Sequence, residues 1–234
     1  MKRFPDIVAF RHGQSLANRL GDASFLADDP IKHAPLLLLE DSEVPLTEDV
    51  GILQAKKLGK FLRKKFGKPD VVIDPGYKRS MQTREFALHS GYSKKEIEGM
   101  IIRTDDRIRE RECGVLRKTP LAIRESIPHW QYHQKAWLAN PYQTRPLGGG
   151  ESIADMVVRV HSILAEIRDL YGGKLIFLSC HGHTLHALQI AIEGFSLAES
   201  NAMLADGWVN NCTIHFYKGK KKRWTECRAF DPLK

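Results

Sequence analysis

Sulfur is scarce in this chain: four cysteines, Cys113, Cys180, Cys212 and Cys227, in 234 residues, with neither a C-x-x-C pair nor a zinc-like spacing. That pattern argues against a disulfide framework and a structural metal, and it fits a reducing compartment. Cys113 and Cys180 fall inside the motifs that carry the chemistry. They are either redox-sensitive or buried small hydrophobes, the commoner fate of a free cysteine. Long apolar runs are also missing, and the start, Met1-Lys2-Arg3-Phe4-Pro5-Asp6, lacks the apolar stretch of a signal peptide. A cytoplasmic protein with no membrane partner is expected. No internal repeat or low-complexity linker divides the chain, so one α/β domain over residues 1–234 is the simpler reading, and 42% hydrophobic residues suffice for a sizeable core.

Positive charge is in excess, a formal net +8 that attracts anions. The densest basic run, Lys218-Gly219-Lys220-Lys221-Lys222-Arg223, lies between two strand-like segments, Thr213 to Tyr217 and Trp224 to Phe230. It reads as a solvated hairpin tip. With no aromatic stacking platform or recognition motif beside it, a nucleic-acid partner is not expected.

Strand and helix signals alternate along the rest. Asp6 to Phe10, Asp70 to Ile73 and Lys174 to Cys180 are short apolar runs of strand character. Ser15 is placed to cap a short helix from Leu16. Thr47-Glu48 is expected to open a helix with Ile52, Ala55, Leu58, Gly59, Leu62 and Phe66 at helical spacing, and another starts in Tyr77 to Arg84. Ile101-Ile102-Arg103 and Asp106 to Glu110 read as short extended pieces. Ser152 and Glu151 are available to cap an amphipathic helix that buries Met156, Val157, Val160, Ile163, Leu164, Ile167 and Leu170. Gly21 to Glu43 is a loop-rich excursion whose leucines, Leu36 to Leu39, pack either over a site entrance or at an oligomer contact. A helical or loop insertion is expected at about 112–148, with a helix or helix pair in Pro120 to Ala139. The alternation implies a mainly parallel central sheet with helices on both faces.

Arg11-His12-Gly13-Gln14-Ser15 follows the first strand, and His181-Gly182-His183-Thr184 follows the strand ending at Cys180. In a parallel sheet the carboxyl ends of strands lie along one edge, so two strand-end histidines can converge on one pocket. Arg11 can offer a planar, permanently charged fork to phosphate oxygens and His12 an imidazole nucleophile. Gly13 lets the backbone approach a ligand. Arg79, at the start of its helix, sits where an anion is already favoured.

These motifs resemble the histidine phosphatase superfamily, and within it the phosphoglycerate-mutase-like branch. The resemblance spans Arg11 through the His181 motif. It implies His12 as a nucleophile that becomes a phosphohistidine, Arg11 and Arg79 as phosphate clamps, and His181 as a donor to the phosphoryl group. It rejects Arg84 as the clamp. Arg109-Glu110-Arg111-Glu112-Cys113-Gly114 resembles the acid-bearing loop, with Glu110 as proton donor and Glu112 as its competitor, and such an acid calls for a pKa raised towards neutrality. Gln14, Asn18 and Gly182 are carried as substrate contacts beside Arg11 and Arg79. Gly149-Gly150-Glu151-Ser152-x-x-Asp155-x-x-x-Arg159 is a family-like helix start, read as structural.

Two departures bear on substrate. Mutases of the family carry a tryptophan where Ala17 stands, and a Phe-Thr-Gly-Trp stretch that is absent here. The expected activity is therefore hydrolysis of a small phosphorylated anionic substrate with no cofactor and no metal. The alternatives are a cofactor-dependent phosphoglycerate mutase and a non-catalytic phosphate-binding module on the same fold. Lys78, Arg107, Arg109, Arg111, Arg117, Lys118 and Arg145 hint at a multiply anionic ligand. The other departure, Thr47-Glu48-Asp49-Val50-Gly51, holds one residue more between Thr and Gly than the family pattern. Oligomeric state cannot be read from the sequence.

Overall fold

A computed structural model describes residues 3–20, 36, 38–114, 121–207 and 209–234. The elements run β1 (Asp6–Arg11), α1 (Leu16–Leu20), α2 (Gly51–Phe66), β2 (Val71–Asp74), α3 (Lys78–Gly91), α4 (Lys94–Glu98), β3 (Ile101–Thr104), α5 (Leu121–Ser126), α6 (Trp130–Ala139), α7 (Ile153–Leu170), β4 (Leu175–Cys180), α8 (Gly182–Glu193), α9 (Leu197–Ala205), β5 (Ile214–Tyr217) and β6 (Arg228–Phe230). Short 3₁₀ turns stand at Asp41–Glu43 and Asp106–Ile108. The strands form one sheet in the order β3-β2-β4-β1-β5-β6. The β3, β2, β4 and β1 strands are parallel, and β5 and β6 extend the sheet by antiparallel pairing.

The central strands are apolar on both faces because both faces are covered. Ile7, Ala9, Ile73, Ile176 and Leu178 pack with Ile153, Met156, Val160 and Leu185 on one side. The alternate residues Val8, Phe10, Val72 and Phe177 pack with Leu58, Leu62 and Leu88 on the other. Side chains alternate along a strand, so this division follows from sequence order alone. In the β1–β4 ladder Arg11 lies opposite Cys180. The His12 N–H continues that ladder onto the Cys180 carbonyl at 3.0 Å.

Some boundaries differ from the sequence reading. The helix expected from Thr47-Glu48 begins at Gly51, with residues 48–50 in a turn. A Cβ at Gly51 would stand 2.1 Å from the Gln14 carbonyl oxygen, so this glycine fixes where the helix meets the His12 loop. The additional residue is absorbed before it. Asp106–Ile108 is a 3₁₀ turn rather than extended, because the Asp105 carboxylate accepts the Arg107 N–H at 3.1 Å and closes the chain locally. Residues 121–139 form a helix pair, broken at Pro128 and at His129, which takes a left-handed φ of 66°.

Ser152 caps α7 reciprocally with Asp155, whereas Glu151 is drawn to arginines. The last strand is confined to Arg228–Phe230, and the Trp224 ring N–H donates to the Pro5 carbonyl at 2.7 Å. The basic hairpin is pinned by Asp6, which accepts Lys218 Nζ at 2.8 Å and the Gly219 N–H at 2.9 Å. Asp6 opens β1, so the hairpin lies at the opposite end of that strand from His12. Most of the leucine-rich excursion, including residues 21–35 and 37, lies outside the described residues. Within it Leu36 is buried and Leu38 exposed.

Candidate active site

His12 is 2% exposed, and its Nδ1 lies 2.7 Å from the Gly13 carbonyl oxygen. A carbonyl only accepts, so Nδ1 carries the proton and Nε2 keeps its lone pair. Burial, then the charges of Arg79 and Arg11, hold the ring well below the ordinary histidine range. The result is a neutral imidazole beside two cations, electron-rich at Nε2. Gly13 makes this geometry possible: a Cβ there would stand 2.6 Å from the Gly51 carbonyl oxygen. Its N–H donates to Thr83 Oγ1 at 3.0 Å, and that hydroxyl donates to the Arg79 carbonyl at 2.7 Å. The loop is thereby tied to the helix that carries Arg79.

His181 stands at the N-cap position of α8 and is wholly buried, with its ring centroid 5.2 Å from that of His12 and 5.0 Å from that of Tyr77. Burial and then Arg79 push it well below the usual histidine pKa. Its Nε2 is 3.3 Å from Ser80 Oγ. Its Nδ1 finds no hydrogen-bond partner among the described residues and faces Glu110 Oε2 at 3.9 Å. Gly182 opens α8, where main-chain N–H groups are free of helical acceptors.

Arg11 is buried and donates to the Val209 carbonyl. Arg79 is 3% exposed, lies 5.0 Å from the Tyr77 ring centroid, and meets a carboxylate. Its NH1 donates to Asp41 Oδ1 at 2.9 Å and to the Asp41 carbonyl at 2.6 Å, and NH2 to Oδ2 at 3.3 Å. Arg84, the rejected neighbour, is 2.5 Å from the buried Asp74.

Glu110 reaches the histidines from a loop clamped by the start of α7. Arg159 donates to the carbonyls of Arg107, Arg109 and Glu110 at 2.7, 3.0 and 3.3 Å, and both Arg159 and Arg109 pair with Glu151. A Cβ at Gly150 would stand 2.4 Å from the Glu112 carbonyl oxygen, so the glycine turn lies flat against the acid loop. Glu112 is exposed and accepts the Gly114 N–H at 2.9 Å, which removes it from the histidines.

The expected upward shift of Glu110 is not what the surroundings produce. Burial does push the carboxyl up, but the His183 hydrogen bond, the charges of His183 and His181 and the Arg111 N–H together hold it well below the usual carboxylate range.

Gln14 and Asn18 sit at the rim with their carbonyl oxygens committed to scaffolding. Gln14 Oε1 accepts from Thr47 at 3.1 Å and Arg19 at 3.3 Å. Asn18 Oδ1 accepts the Ser15 N–H at 3.3 Å and Asn211 Nδ2 at 3.0 Å, and Asn211 also donates to the His12 carbonyl. Ser15 caps α1 as expected, accepting the Asn18 N–H at 3.2 Å.

Of the basic residues suspected of binding further anionic groups, Arg107 is paired with Asp105 and Glu166, Arg109 with Glu151, and Arg145 with Asp155. Arg117 and Lys118 lie outside the described residues. Sequence reasoning missed Asp41, Tyr77, His183 and Asn211. Only His183 left a signal, in the doubled histidine of His181-Gly182-His183.

The sequence pattern of the histidine phosphatase superfamily (branch 1) matches residues 7–231. The chain belongs to that superfamily. Among its histidine phosphatase relatives is the 2,3-bisphosphoglycerate-dependent phosphoglycerate mutase of Bifidobacterium longum (strain DJO10A), 26% identical over 217 residues, covering 82% of this chain and 79% of the mutase. A solved mycobacterial glucosyl-3-phosphoglycerate phosphatase superposes with a TM-score of 0.70 at 21% identity over 97% of each chain. Bacillus stearothermophilus YhfR gives a TM-score of 0.70 at 19% identity over 95% of each chain. At these identities the two structures share the fold.

Proposed function

We propose that this histidine phosphatase hydrolyses a phosphate monoester through a phosphohistidine on His12, with Glu110 supplying the proton to the leaving oxygen. The carrying observation is the tautomer: Nδ1–H is fixed on the Gly13 carbonyl, and Nε2 is left as lone pair in a neutral ring flanked by Arg11 and Arg79. Nε2 attacks phosphorus in line with the departing oxygen. The guanidinium groups and His181 meet the charge on the equatorial oxygens, and this preorganised electrostatics is the main resource of phosphoryl transfer. Two arginines bring the positive charge that a metal would otherwise supply, so the reaction is metal-independent in this reading. The dianionic substrate raises the Glu110 pKa by like-charge repulsion, favouring the acid form when it is needed. A second half-reaction returns the proton as water cleaves the N–P bond.

Hydrolysis is favoured over mutase chemistry by Ala17 and the missing Phe-Thr-Gly-Trp stretch. A mycobacterial phosphatase of the same fold has been solved in complex with inorganic phosphate, the class of ligand proposed here. The mutase reading keeps its weight from the Bifidobacterium relative. Conversion of 3-phosphoglycerate to 2-phosphoglycerate with catalytic 2,3-bisphosphoglycerate would establish it. A phosphate-ester panel that yields no hydrolysis would revive the non-catalytic module. Rapid quench with labelled substrate is expected to trap an acid-labile, alkali-stable phosphoprotein that His12→Ala abolishes. Label persisting in that variant would assign another nucleophile.

A further inference from the structure

The proton donor is held by a second histidine that this mechanism has not used. His183, one residue past the helix-opening Gly182, brings its Nδ1 to 3.2 Å from Glu110 Oε1. The same oxygen accepts the Arg111 N–H at 2.8 Å, and His181 faces the other oxygen. Cys180 at the end of β4, His12 with its two arginines, and His186 further along α8 also act on this pair. The His183 side chain is 17% exposed and that of Glu110 14%, so the pair is shielded from water yet open at one edge to proton exchange.

The arrangement resolves a conflict in the chemistry. Glu110 must donate a proton in the first half-reaction and take one in the second, yet its surroundings stabilise the carboxylate. An amide in place of His183 could hold the carboxylate equally well, but only an imidazole can hold it and also carry charge near neutral pH.

Resting on the assignment of Glu110 as the acid, we propose that His183 is a positioning residue that stores the proton Glu110 delivers. As the Nε2–P bond forms and the P–O bond breaks, the leaving oxygen takes a proton from Glu110. That proton reaches Oε1 from Nδ1 of cationic His183 as the P–O bond breaks, so one proton leaves the pair, His183 becomes neutral and Glu110 ends as the carboxylate. In dephosphorylation the attacking water gives its proton to Glu110. Transfer to Nδ1 then regenerates the imidazolium. The two groups share one exchangeable proton.

The test is the single-turnover rate of His12 phosphorylation between pH 5 and 9, with an alkyl phosphate and with p-nitrophenyl phosphate. It is run on the full-length protein and on His183→Gln, His183→Ala and Glu110→Gln. Poor alkoxide leaving groups need the proton and phenoxides largely do not. His183→Gln should be slower by about 10- to 100-fold with the alkyl ester at neutral pH and within roughly 3-fold with the aryl ester. Its basic limb should move at least about one pH unit towards acid, because the carboxyl alone then holds the proton. Added imidazole should restore alkyl turnover in His183→Ala. An unchanged limb and unchanged alkyl-to-aryl ratio in His183→Gln would overturn the proposal, as would equal losses for both esters. If Glu110→Gln discriminates between the esters and His183→Gln does not, the proton store alone fails. If neither discriminates, the acid assignment fails as well.

Discussion

Asp41→Asn is expected to tighten the binding of inorganic phosphate. In the structure the Asp41 carboxylate lies along the guanidinium edge of Arg79, with oxygens at 2.9 and 3.3 Å from NH1 and NH2. A phosphoryl group in the proposed site needs that same edge, since a planar fork offers its paired donors to one anion at a time. Unit charges about 4 Å apart interact by roughly 4 kcal/mol at an effective dielectric constant of about 20. Asp41 is partly exposed and water takes back part of this, so about 2 kcal/mol is a reasonable share for the competition. That corresponds to phosphate binding about 30-fold tighter in the variant. The ligand-free protein should become less stable, because Arg79, 3% exposed, loses a counter-charge. Phosphate should then raise the melting temperature of the variant more than that of the parent. Titration calorimetry with phosphate and with vanadate measures the first effect, and thermal melts with and without phosphate the second. Unchanged or weaker phosphate binding by a folded variant would refute the idea that the two anions share one seat.

Arg79→Lys should lower kcat/KM by about two orders of magnitude despite keeping the charge, because an ammonium cannot reproduce a two-pronged contact on the equatorial oxygens. Near-parental kinetics would remove Arg79 from the site. Chelators should leave activity unchanged, and a loss in EDTA that zinc or magnesium restores would contradict metal-free chemistry. The protein should lose stability between pH 7 and 5. Burial lowers both His186 and His215 to about 4, so these rings bind protons in the unfolded chain before they do in the folded one. A depressed folded pKa gives stability that is present above about 6.5 and lost as pH falls, roughly 2 kcal/mol per ring at pH 5. A melting temperature flat across this window would refute it.

The parts of the site legible in sequence are those that follow from strand order. Apolar runs ending at Arg11 and Cys180 place both histidines at carboxyl ends, and a parallel sheet then puts those ends on one edge. The capping boxes of Ser93 with Glu96 and Ser196 with Glu199 were equally readable signals for α4 and α9, although neither helix was assigned from the sequence. What could not be read depends on contacts between distant segments. Asp41 meets Arg79 only because a loop folds across the start of α3. Glu110 meets His183 only because the α7 arginine draws the acid loop towards α8. The direction of the Glu110 shift is not legible in the sequence for the same reason. Burial can be foreseen from composition, but the imidazole that outweighs it belongs to another strand end.

The pairing of β1 with β4 has a consequence for how this architecture can change. His12 and His181 follow directly on two strands laced together rung by rung, Asp6 opposite Leu175 through Arg11 opposite Cys180. Their separation is therefore counted in whole rungs of about 3.3 Å, and substitution of side chains cannot tune it continuously. A single inserted residue in either strand would shift one imidazole by a full rung and turn it to the opposite face. Substrate preference can drift through the loops that rim the sheet edge, while the spacing of the two rings stays a fixed integer.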